Sequence, residues 1–374
     1  MKIPAKLLPV SLASSMVLAS FSALADYPDG PITLVAPYGP GGSSDLAART
    51  MASSIPDYIG GNVLVVNRTG AAGVVGSNFV RNAAPDGKTL LLARYGSHAT
   101  GPALNPDAPY EWDDFTYLGM LSLDAFVCIV PEDSPYSNLE EWKEGVMANP
   151  GKYSYSTSGV GTGNHLVVSL LLDSQGIDPD TANHVPYEGD GEVVSSVVGG
   201  HVDFTCVNLS PALSQINSGT VKPLGVTTPE RVDDLPDVPS FTELGYDSME
   251  AGIGWSALAG PPEMDEDIIQ AWAEALAQLQ ESESWNASVD RLGAIPSIMS
   301  PEETKEFVGS QVTVIQDIVE RLQLAAAHRL PAAPGEEEAA PGRVRRRRRG
   351  IAAAARVEAV LEAAFQLAEI GVDA

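Results

Sequence analysis

Two glycine-rich stretches lie between an apolar run that predicts a strand and a pattern that predicts a helix. The first covers residues 37–45 (PYGPGGSSD) and the second covers residues 156–165 (STSGVGTGNH). Because glycine has no side chain, the backbone N–H groups of such loops can approach a ligand closely. The start of a helix adds unpaired N–H donors and a partial positive charge. We therefore predict that each stretch can bind an anion such as a carboxylate, with the hydroxyl groups of Thr157, Ser158 and Thr162 as further donors.

Two further loops could contribute to the same site. Residues 67–77 (NRTGAAGVVGS) also connect a predicted strand to a predicted helix, and residues 95–98 (YGSH) follow a third strand. Open α/β folds bind ligands at the carboxyl edge of the sheet, so these loops should lie near the first one. Each loop also has a purely structural explanation. Residues 37–45 could form a tight turn with Ser43 or Asp45 as the helix cap, and residues 67–77 could be a flexible connection.

The sequence contains none of the motifs that would indicate a cofactor, a metal or a nucleophilic enzyme. The GVG at residues 159–161 departs from the dinucleotide-binding pattern because Asn164 stands where the third glycine belongs. G-x-S-x-G, H-E-x-x-H and clusters of Cys and His do not occur. We expect no cofactor, no metal and no enzymatic activity, and we interpret His165 as a capping or packing residue rather than a catalyst.

The chain is strongly acidic, and the acidity is confined to its middle part. The 374 residues include 22 basic and 49 acidic ones, a formal charge of −27. Two basic residues lie in 1–25, and eight basic and seven acidic residues lie in 325–374, which leaves 12 basic and 42 acidic residues in 26–324. A nucleic-acid partner is not expected, because phosphate binding needs a basic face. The acidic surface of residues 26–324 favours solubility at high ionic strength.

The N-terminus predicts export. Lys2 and Lys6 precede an uncharged run over 7–24 that ends in Ala-Leu-Ala25, which has the three parts of a cleaved signal peptide. A membrane anchor is the alternative, but five serines dilute the apolar run. The only cysteines, Cys128 and Cys206, could pair in an exported protein. Both lie in apolar strand-like runs, and we expect them to pack as free, buried thiols.

From Tyr27 onward, runs rich in β-branched residues alternate with helical patterns, which predicts α/β architecture with parallel strands. A first unit has predicted strands over 32–36, 63–66 and 89–93 and helices over 45–55 and 76–83. A second unit has predicted strands over 126–130, 153–156, 184–187, 203–207 and 224–227 and helices over 137–147, 163–174, 190–198 and 211–218. An extended piece at 252–259 and helices over 265–280 and 301–322 complete the body. The runs 126–130 and 224–227 are candidate crossings, and two crossings would create a hinge and a cleft.

The order of several short motifs resembles that of one known family. They are Tyr27-Pro28, Pro31-Ile32, the 37–45 loop, Asn67-Arg68 with Gly70 and Gly73, APDG at 84–87, VPY at 185–187, GGHVD at 199–203 and LPDVP at 235–239 followed by ELG at 243–245. The chain resembles the Bug (TctC-type) extracytoplasmic solute receptors of tripartite tricarboxylate transporters over roughly residues 27–322. That resemblance implies a type II periplasmic-binding-protein fold, with two α/β domains joined by two hinge strands around a ligand cleft. It also implies a carboxylate held by backbone amides, hydroxyls and water, largely without basic side chains.

The resemblance supports a division into a signal peptide (1–25), domain 1 (26–125 plus 228–324), domain 2 (126–227) and a low-complexity tail (325–374) outside the fold. The predicted ligand-binding residues are Tyr38, Gly41, Gly42, Ser43, Asp45, Ala72, Ser97, Ser158, Gly161, Thr162, His165 and Asn208. Many family members carry an acidic residue where this chain has Val207, and its loss argues against an α-amino acid ligand, although Asp45 could replace it. We expect a monomeric periplasmic receptor that delivers a small organic acid to integral-membrane transporter subunits. A sensory module that signals to a membrane kinase and, less favoured, a hydrolase are the alternatives.

Overall fold

The computed structural model describes residues 27–105, 107–178 and 181–322. The predicted signal peptide and the predicted tail therefore lie outside the described residues. Within the described part, none of the helices combines the length and the apolar character that crossing a bilayer requires.

A six-stranded sheet forms the centre of what we call the first unit. Its strand order is β11-β4-β10-β3-β1-β2. The strands are β1 (Ile32–Ala36), β2 (Val63–Asn67), β3 (Thr89–Arg94), β4 (Thr116–Asp124), β10 (Gly254–Gly260) and β11 (Ala294–Met299). Strands β1, β2 and β3 are parallel, as the β-α-β-α-β pattern predicts, whereas β10 is antiparallel to β3 and β4.

Five strands make the sheets of the second unit. They are β5 (Phe126–Pro131), β6 (Tyr153–Thr157), β7 (Ala182–Pro186), β8 (Thr205–Asn208) and β9 (Val221–Val226). Strand β5 lies antiparallel between β8 and β9, and β6 pairs in parallel with β7. A parallel bridge between Tyr155 and Phe204 brings the two sets together.

The helices agree with the hydrophobic periodicity in most places. They are α1 (Ser43–Ser54), α2 (Pro56–Ile59), α3 (Val74–Arg81), α4 (Gly101–Leu104), α5 (Leu139–Ala148), α6 (Gly163–Ser174), α7 (Asp190–Val198), α8 (Leu209–Asn217), α9 (Glu266–Gln280), α10 (Glu283–Asp290) and α11 (Pro301–Leu322). Helices α6, α7 and α11 have the predicted bounds. Helix α5 begins at Leu139, two residues later than predicted, because Asn138 is its cap residue and accepts a hydrogen bond from the N–H of Glu141.

The chain crosses from the first unit to the second between β4 and β5, and it returns to the first unit after β9. Only Ala125 separates β4 from β5. The two passages lie side by side: the N–H of Thr227 donates to the carbonyl of Phe126 at 2.9 Å, and the N–H of Phe126 donates to Oγ1 of Thr227 at 3.0 Å. Two adjacent connections of this kind allow the units to rotate about a common hinge.

The expectation that the cysteines are free is wrong. Cys128 on β5 and Cys206 on β8 occupy directly opposite positions in the antiparallel register, and they form a disulfide. The apolar sequence runs around Cys128 and Cys206 correctly predicted burial, because both residues are almost fully buried. Burial alone does not decide pairing, however, and the strand register that places the two side chains together is not evident from the sequence.

Candidate functional site

The first predicted loop leads from β1 into α1. Gly42 is the cap residue of α1, and Gly41 has a φ of +74°, a conformation that glycine adopts without strain. The N–H of Gly41 donates to the carboxylate of Asp45 at 3.0 Å, and Arg49 pairs with the same carboxylate at 2.9 Å. Although burial opposes ionisation of Asp45, the hydrogen bonds from Arg49 and Gly41 lower its pKa. Asp45 therefore holds the loop in shape.

The second predicted loop leads from β6 into α6 and is also held by its own side chains. Thr162 is the cap residue of α6, and its hydroxyl donates to the carbonyl of Gly159 at 2.8 Å. The N–H of Gly161 donates to Nδ1 of His165 at 3.3 Å. The ring of His165 stacks on that of His184 at 4.8 Å between centroids. In this structure, His165 therefore has packing and hydrogen-bond contacts within the protein.

The two loops come together where the units meet. Thr100, from the turn after β3, donates to the carbonyl of Gly161 at 3.0 Å. A cavity of about 20 Å³ is lined by residues of both loops. Its lining residues are Tyr38, Ser43, Arg94, Tyr95, Gly96, Phe126, Ser158, Gly163, Asn164, Asp190 and Asn208. A cavity of this size can hold a water molecule but is too small for an organic acid.

Arg94, the last residue of β3, is a buried cation at this cavity. Its guanidinium lies 2.7 Å from the carboxylate of Asp124, and both side chains are more than nine-tenths buried. It also donates to the hydroxyl of Ser256, to the hydroxyl of Ser43 at 3.2 Å and to Oδ1 of Asn208 at 3.3 Å. The resemblance implies that a carboxylate is held largely without basic side chains; Arg94 is a basic residue at this cavity, and Asp124 neutralises its charge.

Asp190, the first residue of α7, extends its carboxylate from the second unit to the start of α1. It accepts hydrogen bonds from the hydroxyl of Ser43 at 2.5 Å, from the amide of Asn164 at 3.1 Å and from the amide of Asn208 at 3.2 Å. Asn164 in turn accepts a hydrogen bond from Ser158 at 2.9 Å. The carboxylate of Asp190 is thus a bridge between the two units.

Four of the twelve predicted binding residues line the cavity: Tyr38, Ser43, Ser158 and Asn208. The others lie around them. Tyr38 donates to the carbonyl of Ala72 at 3.0 Å, and burial raises the pKa of Tyr38 well above its usual range, so its hydroxyl stays a proton donor. Ser97 is buried one residue beyond the lining and contacts Nδ1 of His98 at 2.9 Å.

Sequence reasoning missed three polar residues of the cavity: Arg94, Asn164 and Asp190. Asn164 and Asp190 stand in the first turns of helices that were predicted with the right bounds, so their position near the loops could have been inferred. Arg94 ends a strand, where an arginine usually reaches solvent. Nothing in the sequence pairs it with Asp124, because β4, which carries Asp124, was not predicted.

Comparison with known proteins gives a consistent result. Residues 47–324 match the TctC family, described as the tripartite tricarboxylate transporter family receptor. The protein BugT of Bordetella pertussis is 30% identical over 305 residues, which cover 81% of this chain and 92% of BugT. A solved structure described as a periplasmic transporter is 30% identical, with a TM-score of 0.77 over 80% of this chain and 99% of its own.

Two further solved structures support the architecture. The periplasmic binding protein BugD is 29% identical with a TM-score of 0.75, over 80% of this chain and 99% of BugD. The malate-bound MatC of Rhodopseudomonas palustris is 26% identical with a TM-score of 0.74, over 78% of this chain and 100% of MatC. These matches confirm the predicted periplasmic-binding-protein fold of two α/β units around a cleft. The chain belongs to the TctC family of tripartite tricarboxylate transporter receptors.

Proposed function

We propose that this protein is an extracytoplasmic receptor that captures a small carboxylic acid between its two units and delivers it to membrane-embedded transporter subunits. The observation that carries the proposal is the meeting of two glycine-rich helix starts, those of α1 and α6, at one cavity between the units. Helix starts favour anions through their free N–H groups and dipoles. The malate in MatC is an acid of the proposed kind.

Closure of the two units over the acid is supported by the size of the cavity and by the two connections between the units. Because the cavity holds no more than a water molecule in this structure, an acid must bind to a more open form, and the units then close over it by rotation. Each carboxylate oxygen removed from water needs a donor in the closed form. The loop amides and the second N–H of the Asn208 amide supply such donors at the cavity wall, and the hydroxyls of Ser43 and Ser158 do so by turning from Asp190 and Asn164 to the ligand.

Substitution of Gly42 tests this proposal. A Cβ at Gly42 would lie 3.2 Å from the backbone nitrogen of Asp190, so the larger side chain of Gly42→Val would hold the units apart. Gly30→Val is the matched control, because a Cβ there meets no atom within 4 Å. We expect calorimetry with a panel of small carboxylic acids to show binding by the wild type and Gly30→Val, and none by Gly42→Val. Equal affinities for all three proteins would remove the loop from the site.

The sensory alternative uses the same cleft and differs only in the partner. The family match favours a transporter partner, because its receptors belong to tripartite transport systems. Capture of integral-membrane proteins by the acid-bound receptor distinguishes the two functions: a permease subunit supports transport, and a membrane kinase supports sensing.

A further inference from the structure

The carboxylate of Asp190 is the feature of the cleft that the proposed function leaves unexplained. Its side chain is 6% exposed and lines the cavity. The three groups that donate to it, from Ser43, Asn164 and Asn208, are all neutral. Within the described residues, no Lys or Arg forms an ion pair with it. A receptor for anions thus has a buried anion of its own at the binding site.

The other charges at the cavity do not compensate for Asp190. Arg94 is the nearby cation, but it is already paired with Asp124 at 2.7 Å. It reaches Asp190 only through Ser43 and Asn208, each of which bonds to both side chains. The charges of Arg94, Asp124 and Asp190 therefore sum to −1. Partial positive charge from the helix starts is the remaining compensation.

A second anion beside this carboxylate would be costly. Two like charges close together in a site without bulk water repel each other much more strongly than in solution. A cation on the ligand removes this cost. A carboxylate has about four acceptor positions, and three of them are occupied on Asp190, so one more donor can be accommodated.

We propose that the cleft selects small acids that carry an ammonium group close to their carboxylate, and that Asp190 binds the ammonium group. The inference rests on the proposed function, since it assigns the ligand carboxylate to the glycine-rich helix starts. An amino acid meets both requirements. The ligand carboxylate faces N–H donors and hydroxyls, and its ammonium group faces the buried carboxylate.

Pairs of acids that differ only in the ammonium group test this inference directly on the unmodified protein. Suitable pairs are β-alanine with propionate, 4-aminobutyrate with butyrate, and aspartate with succinate. We expect calorimetry of the ligand-stripped wild type to show roughly ten- to hundredfold tighter binding of at least one ammonium-bearing member than of its partner, as for a hydrogen bond between charged groups. Equal or tighter binding of every ammonium-free partner would overturn the inference and leave the proposed function intact. If none of these acids, and no acid of a wider panel, binds to the wild type, the proposed function fails as well.

Two variants test whether Asp190 causes the preference for ammonium-bearing acids. Asp190→Ser and Asp190→Asn remove the charge, and we expect either variant that stays folded to lose the preference for the ammonium-bearing acid. Glu188→Gln is the matched control, since Glu188 is exposed, lies two residues before Asp190, just outside α7, and carries the same charge. We expect it to change each affinity by less than about fivefold, as for a surface charge. If Asp190 only latched the units together, Asp190→Ser would change both affinities equally, and that outcome would contradict the inference.

Discussion

Arg94 and Asp124 form an almost completely buried ion pair at 2.7 Å, and Arg94 lines the cavity between the units. The pair joins the ends of β3 and β4, two strands separated by β10 in the first sheet. Ser256, on β10 between them, donates to Asp124 at 2.8 Å and accepts from Arg94. The pair therefore fixes the wall against which Ser43 and Asn208 are positioned.

Removal of one partner of this pair should destabilise the fold. We expect Arg94→Met to lower the free energy of unfolding by about 3–5 kcal/mol, because Asp124 then remains buried without its cation. Urea denaturation measures the change. The double variant Arg94→Met/Asp124→Leu should lose less than the sum of the two single variants, since no uncompensated charge remains. Additive losses would show that the two side chains are not coupled.

Acidification should destabilise the protein through His98. This side chain is fully buried beside the rings of Tyr110 and Phe115, and burial lowers its pKa from 6.5 to about 3. Because the unfolded chain takes up the proton at higher pH than the folded one, stability falls as the pH drops from about 6.5 toward 3 and is unaffected by this group above that window.

His98→Gln tests this contribution by removing the titrating group. Thermal melts between pH 7 and pH 4 should show a weaker pH dependence for His98→Gln than for the wild type. His201→Gln is the control, because His201 is exposed. Identical pH profiles for the wild type and His98→Gln would exclude His98 as a source of acid sensitivity.

The disulfide should make a measurable contribution to stability. Cys128 and Cys206 are 78 residues apart in the sequence, so the bond constrains a long segment of the unfolded chain. We expect Cys128→Ala/Cys206→Ala to lower the free energy of unfolding by about 2–4 kcal/mol. Reductant should destabilise the wild type and leave the double variant unchanged. An unaffected wild type would mean that the bond contributes nothing to stability.

Salt should stabilise the protein. The excess of acidic residues, 49 against 22 basic ones, creates self-repulsion that dissolved ions screen over about 10 Å at 0.1 M and about 3 Å at 1 M. We expect the melting temperature to rise between low salt and 1 M sodium chloride. A melting temperature that is constant or falls over this range would contradict the expectation.

The sequence was most informative where one local pattern decides the structure. Hydrophobic periodicity gave the bounds of α6, α7 and α11, and the glycine-rich loops indicated both helix starts at the cavity. Strand β4 was missed because it is buried along almost its whole length, so it lacks the alternation of a half-buried strand, and Gly119 interrupts it. The missed strand concealed the partner of Arg94.

Contacts between distant segments were the part that the sequence could not predict. The disulfide depends on the register of β5 and β8, and the role of Asp190 depends on how the two units face each other. Because this chain has Val207 where many family members carry an acidic residue, the sequence argued against an amino acid ligand. The inference about Asp190 reverses that expectation, because it finds a carboxylate at another position of the same cleft.

The most direct test of the central claim is a crystal structure of the protein with a bound small acid. We predict that the ligand carboxylate lies between the starts of α1 and α6, within hydrogen-bonding distance of Ser43 or Ser158, with the two units closed around it. An acid bound outside the cleft, or held only by side chains distant from the two helix starts, would contradict the account.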